Sequence, residues 1–191
     1  KTLEEKINEF LKGRKKVEIV FSPIGDKRAI IGAVGYALYV LGKPANKRYA
    51  IGIDLGGTNI RAGLVNLESM KIEGEIVRCS TLPEDNKINN NSAKRWMEDI
   101  SRKLKKSSMG MDLDNLPDSL EVYLPEENDR KIHQELTEIM LTQLQALIES
   151  LLNKVEKDAV GMIALASAGI FEEEGKVKLA YNLPLTGVDI R

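Results

Sequence analysis

Two β-compatible runs, Tyr49 to Leu55 and Ile60 to Val65, meet at Gly56, Gly57, Thr58 and Asn59. Runs of this kind on either side of a glycine turn read as an antiparallel hairpin. This feature constrains the fold most, because it starts a sheet at a defined place in the chain. A third strand is expected over Ile72 to Cys79, with Gly74 as a bulge.

Helices and further strands are expected on both sides of this meander. Leu3, Ile7, Phe10 and Leu11 share a helical face, Thr2 and Glu5 have capping-box spacing, and Gly13 can close that helix. Val17 to Phe21 is a short β-rich run, and Ser22 to Asp26 reads as a turn. Ala29 to Leu41 is an almost wholly apolar helix, expected to be buried and stopped by Gly42, Lys43 and Pro44, with Ala45 to Arg48 as a connector. Thr81 to Arg130 is polar, Asn-rich over Asn86 to Ser92, and carries a short amphipathic helix with Trp96, Ile100 and Leu104 on one face. It reads as a surface insertion. Leu136, Ile139, Met140, Leu144, Leu147, Ile148, Leu151 and Val155 then mark a long helix that should cover one face of the sheet. Ala159 to Ala166 reads as an apolar strand, Ser167 to Ile170 as a small-residue turn, and Lys176 to Ala180 as a further strand.

Composition excludes several classes. The 191 residues are 42% hydrophobic, too apolar for a disordered chain, and suffice for one sizeable core or one and part of another. Lys plus Arg number 28 against 29 Asp plus Glu, which argues against nucleic acid or an anionic membrane as the default partner. The longest uncharged run, Ala29 to Gly42, falls short of the roughly 20 apolar residues that cross a bilayer. The sole cysteine, Cys79, forms no intrachain disulfide and suits a cytoplasmic location. The N-terminus shows no secretion signal, and it opens on Lys1 rather than Met, as expected of a processed chain or a piece of a longer one.

The chemistry is concentrated in Ile51-Gly-Ile-Asp-Leu-Gly-Gly-Thr-Asn-Ile-Arg-Ala-Gly-Leu-Val65. Two glycines leave backbone N–H groups unobstructed for phosphate oxygens, and Thr58 and Asn59 add side-chain donors. Asp54 would repel a bare phosphate, so it makes sense if Mg²⁺ sits between it and a nucleotide. Taken alone, the Gly-Gly turn reads as an ordinary hairpin whose glycines supply positive φ angles.

The complete string resembles the first phosphate-binding motif of the superfamily that joins sugar kinases, heat-shock chaperone ATPases and actin, and most closely the ROK family of sugar kinases and sugar-responsive repressors. Gly161-Met-Ile-Ala-Leu-Ala-Ser-Ala-Gly-Ile170 and Gly175-Lys-Val-Lys-Leu-Ala-Tyr-Asn-Leu-Pro184 are similar to the strand, small-residue turn and Asn-Leu-Pro segment of that family. The resemblance implies that Gly169 and Asn182 lie beside a bound sugar; a tight turn at Ser167 to Gly169 and a capping role for Asn182 are the plain alternatives. A Ser stands at 167 where many members carry Pro. Val17 to Ala33 resembles the last strand, loop and helix of a ROK kinase, here placed before the first motif. Residues 1–48 then correspond to the end of a kinase domain, and 49–191 to an N-terminal lobe with an insertion at about 81–130. That order suits a tandem two-kinase polypeptide or a permuted chain.

The resemblance implies an α/β lobe of ribonuclease-H-like, actin-like ATPase type, with a mixed sheet and flanking helices. It implies ATP and Mg²⁺ as cofactors, a hexose or N-acetylhexosamine as substrate, and phosphoryl transfer between them. Asp54 would work through Mg²⁺ or water, Gly56, Gly57, Thr58 and Asn59 would hold phosphates, and Arg61 would help neutralise charge. The family's catalytic Asp, its zinc ligands and most of its adenosine pocket lie past Arg191, so no catalytic residue is assigned. The missing C-terminal lobe becomes the expected partner, and the isolated chain should be inactive or nearly so. A homo-oligomer is compatible with the sequence. A sugar sensor without turnover and a nucleotide-binding scaffold of the actin kind are the alternatives; no clear helix-turn-helix supports a repressor.

The remaining candidates read as structural. His133 is the only histidine and is expected at a helix start on the surface. Asp112, Asp114 and Asp118 do not match a calcium loop. Cys79 reads as a small buried strand residue. Arg102, Lys103, Lys105 and Lys106 read as a solvated helix face beside Glu98 and Asp99.

Overall fold

The computed structural model describes residues 27–82, 90–112, 115–117, 119–172 and 175–190. The expected helix around Leu3 to Leu11, the run Val17 to Phe21, the turn Ser22 to Asp26, and Asp114 and Asp118 lie outside the described residues. Helix α1 (Arg28–Leu41) precedes the meander β1 (Tyr49–Leu55), β2 (Asn59–Asn66) and β3 (Lys71–Ser80). Both meander pairings are antiparallel. Gly74 takes φ +72°, and the β2–β3 register slips between Ala62 and Leu64, so the expected bulge is present.

A parallel strand needs a long crossover. The chain supplies one through α2 (Asn90–Ser107), the short α3 (Leu120–Tyr123), α4 (Glu127–Leu152) and a 3₁₀ turn at Lys157–Ala159. Strand β4 (Val160–Ser167) then pairs parallel to β1, giving the order β3-β2-β1-β4. The fold is therefore α/β, with a mixed sheet and flanking helices. β5 (Ile170–Phe171) and β6 (Val177–Leu179) form a separate antiparallel pair.

Strand alternation sorts side chains between two layers. Tyr49, Ile51, Ile53, Leu55, Ile60, Ala62 and Leu64 form a central core with Met140, Leu147 and Leu151 of α4. Ala50, Val65 and Ala164 point the other way and receive Ile30 and Val34 of α1. Helix α1 approaches so closely that a Cβ at Gly52 would stand 2.4 Å from the Ile30 carbonyl oxygen. Its end is set by Gly42, whose φ is +78° and whose N–H donates to the Leu38 carbonyl.

Two expectations change. The sheet covers only one stripe of α1, so the helix is not buried throughout: Tyr36, Tyr39 and Leu41 are largely exposed. The helix read as part of a surface insertion is longer and better packed than expected. Ile100 and Leu104 are buried, and they share a second core with Tyr123, Leu124, Leu136 and Leu179. Lys103 of α2 also bonds both carboxylate oxygens of the buried Asp129 on α4, at 2.7 and 2.8 Å. The Asp129 and Asp99 hydrogen bonds hold its ammonium above the ordinary lysine value. Among the described residues, no helix is long and apolar enough to cross a membrane.

Candidate functional site

The sheet carries Asp54 to the C-terminal end of β1, on the face that α1 covers. Arg61 sits directly across on β2, and its Nη2 donates to Asp54 Oδ2. Both side chains are partly exposed. The turn between them is closed by the Gly56 N–H, which donates to the Asn59 carbonyl at 3.0 Å. Gly57, Thr58 and Asn59 are exposed.

Neither Gly56 nor Gly57 has a positive φ. Backbone handedness therefore explains neither glycine. Gly57 has a different reason to lack a side chain: its Cβ would stand 2.9 Å from the Asn182 carbonyl oxygen and 3.1 Å from the Asn182 Cβ. Two segments far apart in sequence thus touch, and both were selected from sequence. Parallel pairing of β1 with β4 makes this contact reachable, since it sends both chains out of the sheet at the same edge, with Leu55 beside Ser167.

The Asn182 segment is held from several directions. Thr186 Oγ1 accepts from the Ala180 N–H at 3.0 Å, and Thr137 Oγ1 on α4 donates to the Pro184 carbonyl at 2.5 Å. Tyr181 pairs its hydroxyl with Ser108 Oγ at 2.8 Å, at the end of α2, and its ring lies under the Lys105 ammonium. Gly169 is exposed, and a Cβ there would stand 3.0 Å from the Leu179 carbonyl oxygen and 3.4 Å from the Ala180 Cβ. The structure therefore joins Gly57 to Asn182, places Gly169 against the strand leading to Asn182, and ties Arg61 to Asp54.

Sequence reasoning missed the side chains that hold these pieces, namely Thr81, Ser108, Thr137, Tyr181 and Thr186. A hydroxyl in a polar stretch carries no signature of its distant partner. His133 is a correction. Because α4 begins at Glu127, His133 lies on its inward face and is 2% exposed, not at a surface helix start. Burial lowers its pKa to about 4, and its Nε2 has no hydrogen-bond partner. Cys79 is half-buried, and burial raises its thiol pKa.

Asp54 stands alone as a metal candidate. Among the described residues, no group of three or more His, Cys, Asp or Glu could hold an ion. Mg²⁺ commonly uses one or two carboxylates and completes its shell with water and phosphate oxygens, so one aspartate beside an exposed turn that opens on two glycines fits that ion when it arrives with a nucleotide. A cleft of about 510 Å³ lies nearby between α1 and β4, lined by Ala29, Gly32, Ala33, Ala166 and Phe171 among others. It is also lined by Ser167, the first residue of the small-residue turn, but by no residue of the Gly56–Asn59 turn.

No protein-family model matches the chain, and no curated protein matches it. Among solved structures, it is similar to a reductive activator for a corrinoid, iron-sulfur protein, at 20% identity and a TM-score of 0.38. That match covers 65% of this chain and 15% of the activator chain, so the chain spans a small part of its length. A superposition this loose carries no argument about fold family or activity.

Proposed function

We propose that this chain is the phosphate-binding lobe of an ATP-dependent sugar kinase of ROK type, with a ribonuclease-H-like sheet. The observation that carries this reading is the contact of Gly57 with Asn182. A nucleotide-phosphate turn and a sugar-contacting asparagine must lie side by side if a phosphoryl group is to pass between their ligands, because in-line transfer is governed by positioning. The β3-β2-β1-β4 order supports the same reading.

Within it, Gly57, Thr58 and Asn59 hold phosphate oxygens, and Gly169 and Asn182 orient the sugar. Asp54 receives Mg²⁺ through water, and Arg61 fixes the Asp54 carboxylate by taking Oδ2. Mg²⁺ supplies charge neutralisation at the phosphates when bound. By the same resemblance the base for the sugar hydroxyl belongs to a second lobe, on which turnover would depend.

The test is ADP release with ATP, Mg²⁺ and a panel of hexoses and N-acetylhexosamines, comparing the longest polypeptide obtainable from the source with the 191-residue chain. Turnover by the longer polypeptide with one sugar, lost in the short chain and in Asp54→Ala, is expected. Sugar binding without turnover by the longer polypeptide would overturn the kinase reading and leave a sensor.

A further inference from the structure

Thr81 is 1% exposed, although it stands at the edge of an exposed turn in a stretch that reads as polar. Its position is explained by what it bonds. Thr81 Oγ1 donates to the Gly56 carbonyl at 2.6 Å, and the Thr81 N–H donates to the Thr58 carbonyl at 3.0 Å. One residue thus holds two of the turn's carbonyls. Ser80 Oγ turns back to the Leu82 carbonyl at 2.5 Å, which fixes the end of β3 that delivers Thr81.

The consequence follows from peptide geometry. Across a planar trans peptide, the C=O of one residue and the N–H of the next point in opposite directions. Drawing the Gly56 and Thr58 carbonyls toward β3 therefore turns the Gly57 and Asn59 N–H groups away from β3. A turn of this kind binds an anion well only if its donors are already aimed, since ordering them on binding subtracts from affinity.

We propose that Thr81 is the positioning residue of the Gly56–Asn59 turn, and that affinity for nucleotide phosphates depends on its hydroxyl. This rests on reading the turn as a phosphate site. Thr81 touches no ligand in this role; it acts by holding the carbonyls behind the donors.

The experiment uses Thr81→Val and Thr81→Ser in the 191-residue chain. Valine keeps the side-chain shape and the backbone N–H but removes the donor to Gly56; serine keeps the donor. Two quantities are read: the dissociation constant for MgATP, and backbone ¹⁵N relaxation at Gly57, Thr58 and Asn59 without nucleotide. Thr81→Val is expected to weaken MgATP binding about five- to tenfold, the worth of one hydrogen bond. It should also raise fast motion at the three turn residues while leaving α4 unchanged, and Thr81→Ser should restore both. Unchanged relaxation at the turn in Thr81→Val overturns the proposal, as does unchanged affinity where the parent chain binds MgATP. If the parent chain itself does not bind MgATP, the phosphate reading and the affinity claim fall together, and relaxation alone decides whether the clamp exists. If valine does not fold, Thr81→Ala takes its place with the same expected outcomes.

Discussion

Gly52→Ala tests whether α1 is held to the sheet by contact as close as the structure shows. The added Cβ would lie 2.4 Å from the Ile30 carbonyl oxygen and 2.7 Å from Ile30 Cγ2, whereas ordinary contact begins at 3.4 Å. The helix must then recede by about 1 Å, the difference between 3.4 and 2.4. A gap of about 0.5–1 Å forfeits a quarter to a half of the dispersion attraction across it. Ile30 and Val34 are both 0% exposed. Each such side chain contributes about 1.5–3 kcal/mol by burial. Losing that fraction of both, with added backbone strain, gives a destabilisation of about 2 kcal/mol, or a fall in Tm of roughly 4–8 °C for a chain of this size. Urea and thermal unfolding measure it. The nearest obstacle is a backbone atom, so adding Ile30→Ala should not rescue the variant. Gly32→Ala on the same helix is the control: no atom lies within 4 Å of its new Cβ. It should stabilise by about 0.5–1 kcal/mol through helix propensity. A loss below about 0.5 kcal/mol in Gly52→Ala, or full rescue by Ile30→Ala, would refute the reasoning.

Two further perturbations probe the site and the buried histidine. Gly57→Ala should push the turn from Asn182, shifting the Asn182 amide resonance and weakening MgATP binding about tenfold, with less effect on Tm than Gly52→Ala; an unmoved Asn182 signal would deny the contact. Because the folded pKa of His133 lies near 4 against an ordinary 6.5, the unfolded state binds the extra proton between those values. The stabilisation is therefore present above pH 6.5 and is lost as pH falls toward 4, on the order of 3 kcal/mol in all. His133→Leu should flatten that part of the stability-against-pH curve, and an identical slope would place the proton elsewhere.

Much of the architecture was legible because it rests on local rules. β-Compatible runs on either side of a glycine turn marked β1 and β2, an apolar run marked β4, Gly74 marked the bulge, and Gly42 marked the end of α1. The stripe containing Leu136, Met140 and Leu147 announced α4, and its spacing already extended back to His133, three residues before Leu136. What misled was residue type, since a lone polar ring reads as surface. The burial of Ile100 and Leu104 was half legible: their shared face was plain, but Tyr123 and Leu136 opposite them were not. At the site, the Gly-Gly turn was visible, whereas its fit against Asn182 depended on β4 entering parallel to β1. Thr81 showed no signal because its partners are carbonyls, and every residue has one.

Asn182 also marks a seam between packing units. On one side of it, Tyr181 lies against the second core with α2 and α3; on the other, Leu183 belongs to the central core with the sheet and α4. Well-packed cores resist internal deformation, so small relative displacements concentrate at the boundary between them. The Gly57 turn is rooted wholly on the sheet side of that boundary. Because α2 contributes Ile100 and Leu104 to the second core and reaches Tyr181 through Ser108, the spacing between Asn182 and the turn is set by how the two cores meet.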